Sequence, residues 1–196
     1  MEMPYRQDAL TGIPLEHYMG LLKEASPDEI SERTGLSHDN GKFTLTILGE
    51  TKTITLPDFD DEGWGDRWKI LFGRYLLEGR KIRPMGEFIT YSQLPWGEVY
   101  NEKFRQRCIL RLAGTFGTRI EAFKEKCEKN HAMPIESSGC GYEFSLLDGL
   151  KVRFILWEGD EDFPASAQIL FSDNFPDAFT AEDSVVVCAY ILSNMK

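Results

Sequence analysis

Hydrophobic positions along the chain follow two periods, and each period predicts one kind of secondary structure. Apolar residues that recur every three or four positions are typical of a helix with one buried face. Gly79 and Gly114 are expected to end two such helices, because glycine is common just after a helix. The helical spacing covers residues 14–25, 68–76, 100–112 and 116–127.

A further helix is predicted by its boundary residues. Ser26 has the position of an N-cap, Pro27 that of the first helical residue, and Glu29 that of the reciprocal partner in a capping box. Gly35 is expected to end this helix. The sequence therefore predicts two consecutive helices before the first strands.

The last predicted helix begins after Thr180 and runs through Ser193. Thr180 and Asp183 form an N-cap pattern. The valines at 185–187 favour a strand, but the cap and the length of the segment favour a helix. The apolar run 185–192 is the longest in the chain, and it is far shorter than the roughly 18 residues that a membrane span needs.

Two stretches follow a period of two residues and predict antiparallel hairpins. Apolar and polar residues alternate over 42–56, with a turn near Gly49. A second hairpin lies within 142–157, where Asp148 followed by Gly149 is a strong two-residue turn signal. Residues 165–171 are a candidate for a third strand beside it, and 88–91 are a candidate for a short strand.

These elements predict an α+β fold in which antiparallel hairpins at both ends of the chain enclose a helical middle. The chain has 196 residues, of which 42% are hydrophobic, so it can bury a sizeable core without disulfides or metals. No internal repeat and no linker-like segment divides it. We therefore expect residues 1–196 to form a single domain.

The charge of the chain restricts its partners. Lys and Arg number 22 against 32 Asp and Glu, which gives a formal net charge of -10. Such a chain is not expected to bind nucleic acid through its phosphates or to dock on an anionic membrane. No secretory signal pattern is visible, so we expect a cytoplasmic protein.

The pattern of cysteines also indicates a cytoplasmic protein. None of them lies in a C-x-x-C pair, whereas zinc and iron–sulfur sites need clustered thiolates. We expect reduced and mostly buried thiols, of which Cys140, between two glycines, is the most accessible. The spacing of the cysteines indicates no cofactor. The four residues are Cys108, Cys127, Cys140 and Cys188.

The acidity is concentrated in two predicted loops, residues 58–66 and 158–162. They hold nine carboxylates and no Lys or Arg, so the rest of the chain is close to neutral. One interpretation is a pair of solvated loops, and another is a Mg²⁺ or Ca²⁺ site that the two loops share. The first loop begins like a calcium-binding loop, but its twelfth position is Lys69, whose ammonium would repel the ion.

The second acidic loop also offers candidates for acid–base chemistry. Asp160 and Asp162 lie close in sequence to the rings of Trp157 and Phe163. An apolar neighbour can raise the pKa of a carboxyl group, as a general acid requires. Glu161 is a further acid or base, and Asp160 and Asp162 are also the candidate metal ligands. A G-x-S-x-G elbow, a P-loop and a G-x-G-x-x-G pattern are all absent from the sequence.

Aromatic residues in predicted turns are candidates for ligand or partner contact. Trp64 and Trp96 each precede a glycine in a predicted loop. An exposed ring there is unfavourable unless it packs or binds something. Trp96 and Tyr100 are therefore possible aromatic walls beside the acidic loop, whereas Trp68 and Trp157 are expected to pack inside.

A basic stretch lies on the helical middle and consists of Arg105, Arg107, Arg111 and Arg119. One interpretation of these arginines is that they bind an anionic ligand. The other is that they pair with the acidic loops of the same chain, and this second interpretation is favoured.

Several blocks of the sequence resemble an uncharacterised family that is known only as domain of unknown function 3786. Residues 157–171, with Glu182 at the start of the last helix, are similar to its signature, and 70–77 and 94–100 with Phe104 resemble its other blocks. The resemblance covers nearly the whole chain and implies an occurrence mainly in anaerobic bacteria and archaea. It implies no agreed activity and no catalytic residues, and this chain lacks the cysteine-rich segment that some members carry.

We therefore predict a cytoplasmic, non-catalytic ligand-binding or accessory module with a small-molecule or protein partner. The alternative is an enzyme that uses the loop 158–162 for metal binding or acid–base catalysis. Neither a cofactor nor an oligomeric state is indicated. The candidate site residues are Trp96, Tyr100, Asp160, Glu161, Asp162 and Phe163.

Overall fold

The structure is a computed structural model that describes residues 15–61 and 65–195. Two helices precede a small antiparallel sheet, whose strands lie in the order β1-β2-β3-β4. These elements are α1 (Leu15–Glu24), α2 (Pro27–Thr34), β1 (His38–Asp39), β2 (Lys42–Ile47), β3 (Glu50–Thr55) and β4 (Asp60–Asp61).

The middle of the chain is helical except for one short strand. A π-helical turn, Arg105–Ile109, joins α4 and α5 into one continuous helical rod, and a 3-10 turn, Tyr91–Gln93, comes before α4. The elements are α3 (Asp66–Glu78), β5 (Phe88–Thr90), α4 (Gly97–Phe104), α5 (Leu110–Phe116) and α6 (Ile120–Lys129).

The last part of the chain completes a five-stranded antiparallel sheet in the order β5-β9-β8-β7-β6. The predicted α+β class, with antiparallel hairpins at both ends and a helical middle, is confirmed. The organisation as a single domain stays a prediction. The elements are β6 (Met133–Ile135), β7 (Cys140–Leu147), β8 (Leu150–Trp157), β9 (Ser166–Ser172), a 3-10 turn (Phe175–Asp177) and α7 (Ala181–Asn194).

Helix ends follow the predicted cap residues at α2 and α7. The Ser26 hydroxyl accepts a hydrogen bond from the backbone N–H of Glu29 at 3.4 Å, and Gly35 ends α2 in the left-handed region. Thr180 and Asp183 form both hydrogen bonds of a capping box, so the β-prone valines after them are helical. A satisfied cap therefore overrides the residue preference of the first turns.

The predicted break at Gly114 is wrong, because α5 runs through this residue to Phe116. A glycine inside a helix costs only about 1 kcal/mol relative to alanine. The helix is also anchored on both sides of the glycine, since Leu112 and Phe116 are buried in the core. Packing of the apolar face therefore outweighs the local preference.

The first hairpin turns at Leu48 and Gly49, both of which have positive φ angles, 49° and 80°. This is the backbone of a type I′ turn, for which asparagine and glycine are the usual residues. The N–H of Leu48 donates to the carbonyl of Leu146 at 3.3 Å and so ties the turn to β7. A Cβ on Gly49 would lie 2.8 Å from the Cβ of His131, so the turn also contacts the end of α6 closely.

The core lies between one face of the five-stranded sheet and the helices. Val152, Phe154 and Leu156 on β8 are fully buried, as their alternation predicts. Helices α5 and α6 pack against this sheet, and residues of both sheets belong to one apolar cluster. Trp68 is 7% exposed and stacks on Phe72, which confirms its predicted place in the core.

The cysteines have the expected environments. All four are free thiols, of which Cys108, Cys127 and Cys188 are buried and Cys140 is half-buried. Within the described residues, no helix is both long and apolar enough to cross a membrane.

A buried ion pair joins α3 to the first turn of α7. The guanidinium of Arg74 donates from Nη1 to Oδ1 of Asp183 at 2.6 Å, and both side chains are buried. The other carboxylate oxygen accepts from the N–H and the hydroxyl of Thr180 at 3.0 and 2.8 Å. Because a buried charge without a partner is costly, this pair determines how the two helices meet.

We expect Asp183→Ala to lower the free energy of unfolding by about 3–5 kcal/mol, because it leaves the buried guanidinium of Arg74 with only the more exposed carboxylate of Glu78, at 3.6 Å. Thr180→Ala removes the cap hydroxyl but keeps the ion pair, so it should cost only about 1 kcal/mol. Urea denaturation followed by circular dichroism measures both variants. Equal losses would contradict a role for the ion pair beyond that of the cap.

Gly49→Ala should lower the free energy of unfolding by about 1–2 kcal/mol or more, since an L side chain is strained at this positive φ. Its new Cβ would also meet His131. The control is Gly20→Ala in α1, where an added Cβ meets nothing within 4 Å and should stabilise by about 0.5–1 kcal/mol. Thermal unfolding tests the pair, and a neutral Gly49→Ala would argue against the close contact with His131.

Candidate functional site

The predicted acidic site is a tight turn between β8 and β9. The Oδ1 atom of Asp160 accepts hydrogen bonds from the backbone N–H groups of Asp162 and Phe163 at 2.9 and 2.7 Å. The N–H of Asp160 donates to the carbonyl of Phe163 at 2.9 Å, and the N–H of Gly159 donates to the carbonyl of Gly117 at 3.0 Å. The turn is thus held by its own first aspartate and anchored to the end of α5.

The side chains of this turn are open to solvent. Asp160, Glu161 and Asp162 are exposed, and Phe163 is 72% exposed. Within the described residues, no group of three or more His, Cys, Asp or Glu side chains could hold a metal ion. The assignment of Asp160 and Asp162 as metal ligands stays a prediction.

The aromatic residues of the predicted site lie on a different element. Trp96 precedes α4 with a φ of 66° and is 46% exposed, whereas Tyr100, one helical turn later, is half-buried against the core. No hydrogen bond, ion pair or ring contact joins either residue to the turn at Asp160. Trp64, the other loop tryptophan, lies outside the described residues.

The arginines of the helical middle do not pair with the acidic turn, contrary to the favoured interpretation. Arg111 donates to the carbonyl of Ala189 at 3.3 Å and to the hydroxyl of Ser193 at 3.0 Å, both on α7. Arg105 lies 3.7 Å from Glu102, one turn away on the same helix. Arg111 therefore braces the helical rod against α7, and no ion pair joins these arginines to the described residues of the acidic turn.

A cleft of about 170 Å³ lies elsewhere, where the first hairpin meets the ends of three helices. The hairpin contributes Ile47 and Leu48, and the first turn of α3 contributes Trp68. The last residues of α6, with His131 just beyond them, and the last turn of α7 form the opposite walls. Four segments that are distant in sequence thus converge on one concave site.

The floor of this cleft is aromatic. The rings of Trp68 and Tyr190 meet edge to face with centroids 4.5 Å apart. Trp68 is buried and Tyr190 is half-buried, so the pair presents apolar surface from two different helices. Ile47 and Leu48 add aliphatic surface from the hairpin.

The rim of the cleft carries polar groups. Lys52 and Glu50 form an ion pair at 2.8 Å, and the hydrogen bond and charge of Lys52 hold the pKa of the Glu50 carboxyl below its ordinary value. Lys129, His131 and the amide of Asn194 also line the opening. No ion-pair partner of Lys129 exists among the described residues. The rim therefore offers more donors and positive charge than acceptors.

Two residues at the cleft have unfavourable backbone conformations. Leu48 and His131 have φ angles of 49° and 59°, a region that residues other than glycine seldom adopt. Such conformations are often found at binding sites, where the surrounding structure holds them in place. Here the close approach of Gly49 to His131 joins the two segments.

A larger cavity of about 430 Å³ lies beside the ion pair between α3 and α7, and its charged side chains each have an ion-pair partner, although the Nε of Arg74 is buried without a hydrogen bond. The carboxylate of Asp177 accepts from Arg80 Nε at 3.0 Å and from the Arg83 N–H at 3.1 Å. Asp183 is engaged by Arg74. The smaller cleft is therefore the better candidate for a binding site.

Reasoning from the sequence missed the cleft. Trp68 was assigned to the core alone, while Lys129, His131 and Tyr190 were not singled out. None of them belongs to a motif, because the cleft is assembled from single residues on separate elements. The one available signal is a leucine before Gly49 in a two-residue hairpin turn, where asparagine or glycine is usual.

Comparisons with known proteins place the chain in a family. The model of the family described as "Domain of unknown function (DUF3786)" matches residues 26–194. No curated protein and no solved structure matches the chain. The family description names no activity, so the function has to be argued from the site. Because the match covers well over half of the sequence, this protein belongs to the family described as "Domain of unknown function (DUF3786)".

Proposed function

We propose that the protein is a non-catalytic ligand-binding module and that its ligand is a small molecule seated in the cleft between the first hairpin and α3, α6 and α7. Ligand sites are typically concave and mainly apolar, with a few polar groups that fix orientation. The cleft is concave and combines the rings of Trp68 and Tyr190 with polar groups, and its exposed lining is more polar than apolar.

One observation carries the proposal. Trp68, Tyr190 and Lys129 line the cleft, and the indole N–H, the hydroxyl and the ammonium that they carry have no hydrogen-bond or ion-pair partner in the described part of the chain. A donor that reaches solvent can exchange its hydrogen bond to water for one to a ligand, at a net gain of about 0.5–1.5 kcal/mol. The cleft thus offers a ligand three hydrogen-bond donors, one from each of three helices.

A catalytic role for the acidic turn has less support. A general acid needs an apolar enclosure that disfavours its charged form, and Asp160, Glu161 and Asp162 are exposed to water. The carboxylate of Glu50 is ion-paired, and no hydrogen bond joins a nucleophile to a base among the described cleft residues, which supports binding over bond cleavage.

As a second part of the proposal, the turn around Asp160 binds a positively charged segment of a protein partner. Glu158, Asp160, Glu161 and Asp162 have no ion-pair partner among the described residues, so their charge is uncompensated. Phe163 adds an exposed ring beside them, and Trp96 is a further exposed ring on α4. Charge complementarity of this kind raises the association rate and the specificity of binding.

The proposal places the protein in the cytoplasm. The thiols of Cys108 and Cys188 are free and buried, and burial together with the neighbouring Cys108 raises the pKa of the Cys188 thiol. A reducing compartment keeps such a pair of thiols from forming a disulfide.

A library of single-ring molecules with neutral, cationic and anionic members tests the cleft by ¹⁵N amide spectra. We expect some of them to shift the signals of Leu48, Lys129 and His131. Asn194→Trp fills the opening and should weaken binding about tenfold or more, since the ligand loses its contact area. The control Asn101→Trp is the same change at an exposed position on α4. A library that shifts no cleft signal would overturn the proposal.

A decalysine peptide tests the acidic turn by fluorescence anisotropy at low salt. The triple variant Asp160→Asn, Glu161→Gln, Asp162→Asn should weaken binding about fivefold or more, because it removes three adjacent charges. The control neutralises three exposed carboxylates on other elements, Glu32, Glu87 and Glu125, and changes the net charge equally. Equal effects of the two triple variants would show that the turn has no role of its own.

A further inference from the structure

We propose that the cleft selects single-ring aromatic carboxylates. This inference rests on the proposed function, since it names the chemical class of the ligand that the cleft takes. It follows from the volume of the cleft, the nature of its walls and the balance of charge on its rim.

The volume limits the ligand to about one ring. The cleft measures about 170 Å³, and an apolar protein cavity of about 150 Å³ is large enough to hold benzene. A six-membered ring with one small substituent therefore fills the space. A nucleotide, a disaccharide or a fused three-ring system exceeds this volume and would extend out of the opening.

The walls favour a flat aromatic ring over an aliphatic one. Trp68 and Tyr190 meet edge to face at 4.5 Å between centroids, so a third ring can extend the same kind of packing. Aromatic pairs add about 0.5–1.5 kcal/mol beyond the burial of area. Ile47 and Leu48 close the cleft on the hairpin side with aliphatic surface that also suits a ring face.

The charge on the rim favours one negative charge. The two lysines on the rim differ, because Lys52 is paired with Glu50 at 2.8 Å whereas Lys129 has no ion-pair partner among the described residues. Counted over the described side chains alone, the rim therefore has one ammonium without an ion-pair partner. This is a local exception on a chain of net charge -10, which repels anions in general.

The donors indicate a carboxylate in preference to a phosphate. A carboxylate has two oxygens that can accept from Lys129, from the Tyr190 hydroxyl and from the Trp68 indole N–H. Among the residues whose side chains the structure describes, no arginine lines the cleft, although bidentate arginine is common where phosphate is recognised. A phosphate dianion would also leave one negative charge unbalanced beside Glu50.

The experiment compares benzoate with probes that each lack one feature, by isothermal titration on the full chain and by ¹⁵N amide spectra. Benzamide keeps the ring and loses the charge, cyclohexanecarboxylate keeps the charge and loses the planar ring, and inorganic phosphate keeps only negative charge. We expect benzoate to shift cleft signals and to bind about tenfold tighter than benzamide, since its hydrogen bonds to the donors are charge-assisted.

Two lysine variants complete the test. Lys129→Gln should weaken benzoate about tenfold and leave benzamide nearly unchanged. Lys124→Gln is the matched control, because Lys124 is on the same helix and pairs with Glu121 at 2.7 Å, outside the cleft. Tyr190→Phe, which removes only the hydroxyl, should weaken benzoate a few-fold.

The outcomes separate this inference from the proposed function. If benzamide, cyclohexanecarboxylate or phosphate shifts the cleft signals as strongly as benzoate, the ligand class is wrong and the cleft is still a binding site. Equal losses in Lys129→Gln and Lys124→Gln would also overturn the class. If no probe of the panel or of the wider library shifts a cleft signal, both the class and the proposed function fail.

Discussion

The buried ion pair between Arg74 and Asp183 is the constraint on which the arrangement of the helices depends. A charge removed from water has to be paired closely, and here the pair is 2.6 Å long and joins α3 to α7. The same two helices also meet through Trp68 and Tyr190. On α3, Trp68 comes before Arg74 in the chain, whereas on α7, Tyr190 comes after Asp183. Because the order of the contacting residues is reversed between the two helices, these two contacts make the helices antiparallel and fix their register.

The register of these helices in turn makes the aromatic floor of the cleft. Arg74 lies six positions after Trp68, and Tyr190 lies seven positions after Asp183. These spacings correspond to about 9 and 10.5 Å along the two helix axes. The ion pair therefore brings the two rings to the same level without any sequence motif that links them. Aromatic packing at one end and a charged contact at the other hold the same helix pair.

The hairpin closes the cleft through local backbone strain. Leu48 lies in a turn position where asparagine relieves the strain, and His131 adopts a similar conformation at the end of α6. The bare Cα of Gly49 lets these two segments touch. The chain thus keeps an unfavourable turn residue that lines the cleft, and such strained conformations are common at functional sites of proteins.

Local signals in the sequence determined the secondary structure, because caps, turns and periodicity act over a few residues. Ser26, Gly35, Thr180 and Asp183 marked helix ends correctly, and the alternation in β8 identified its buried face. The helix break predicted at Gly114 is wrong, because the packing of Leu112 and Phe116 outweighs the low helix propensity of one glycine. Only the tertiary structure decided where a ligand could bind, since the cleft depends on helix register and on single residues from four segments. The most distinctive acidic segment, in contrast, folded into an exposed turn.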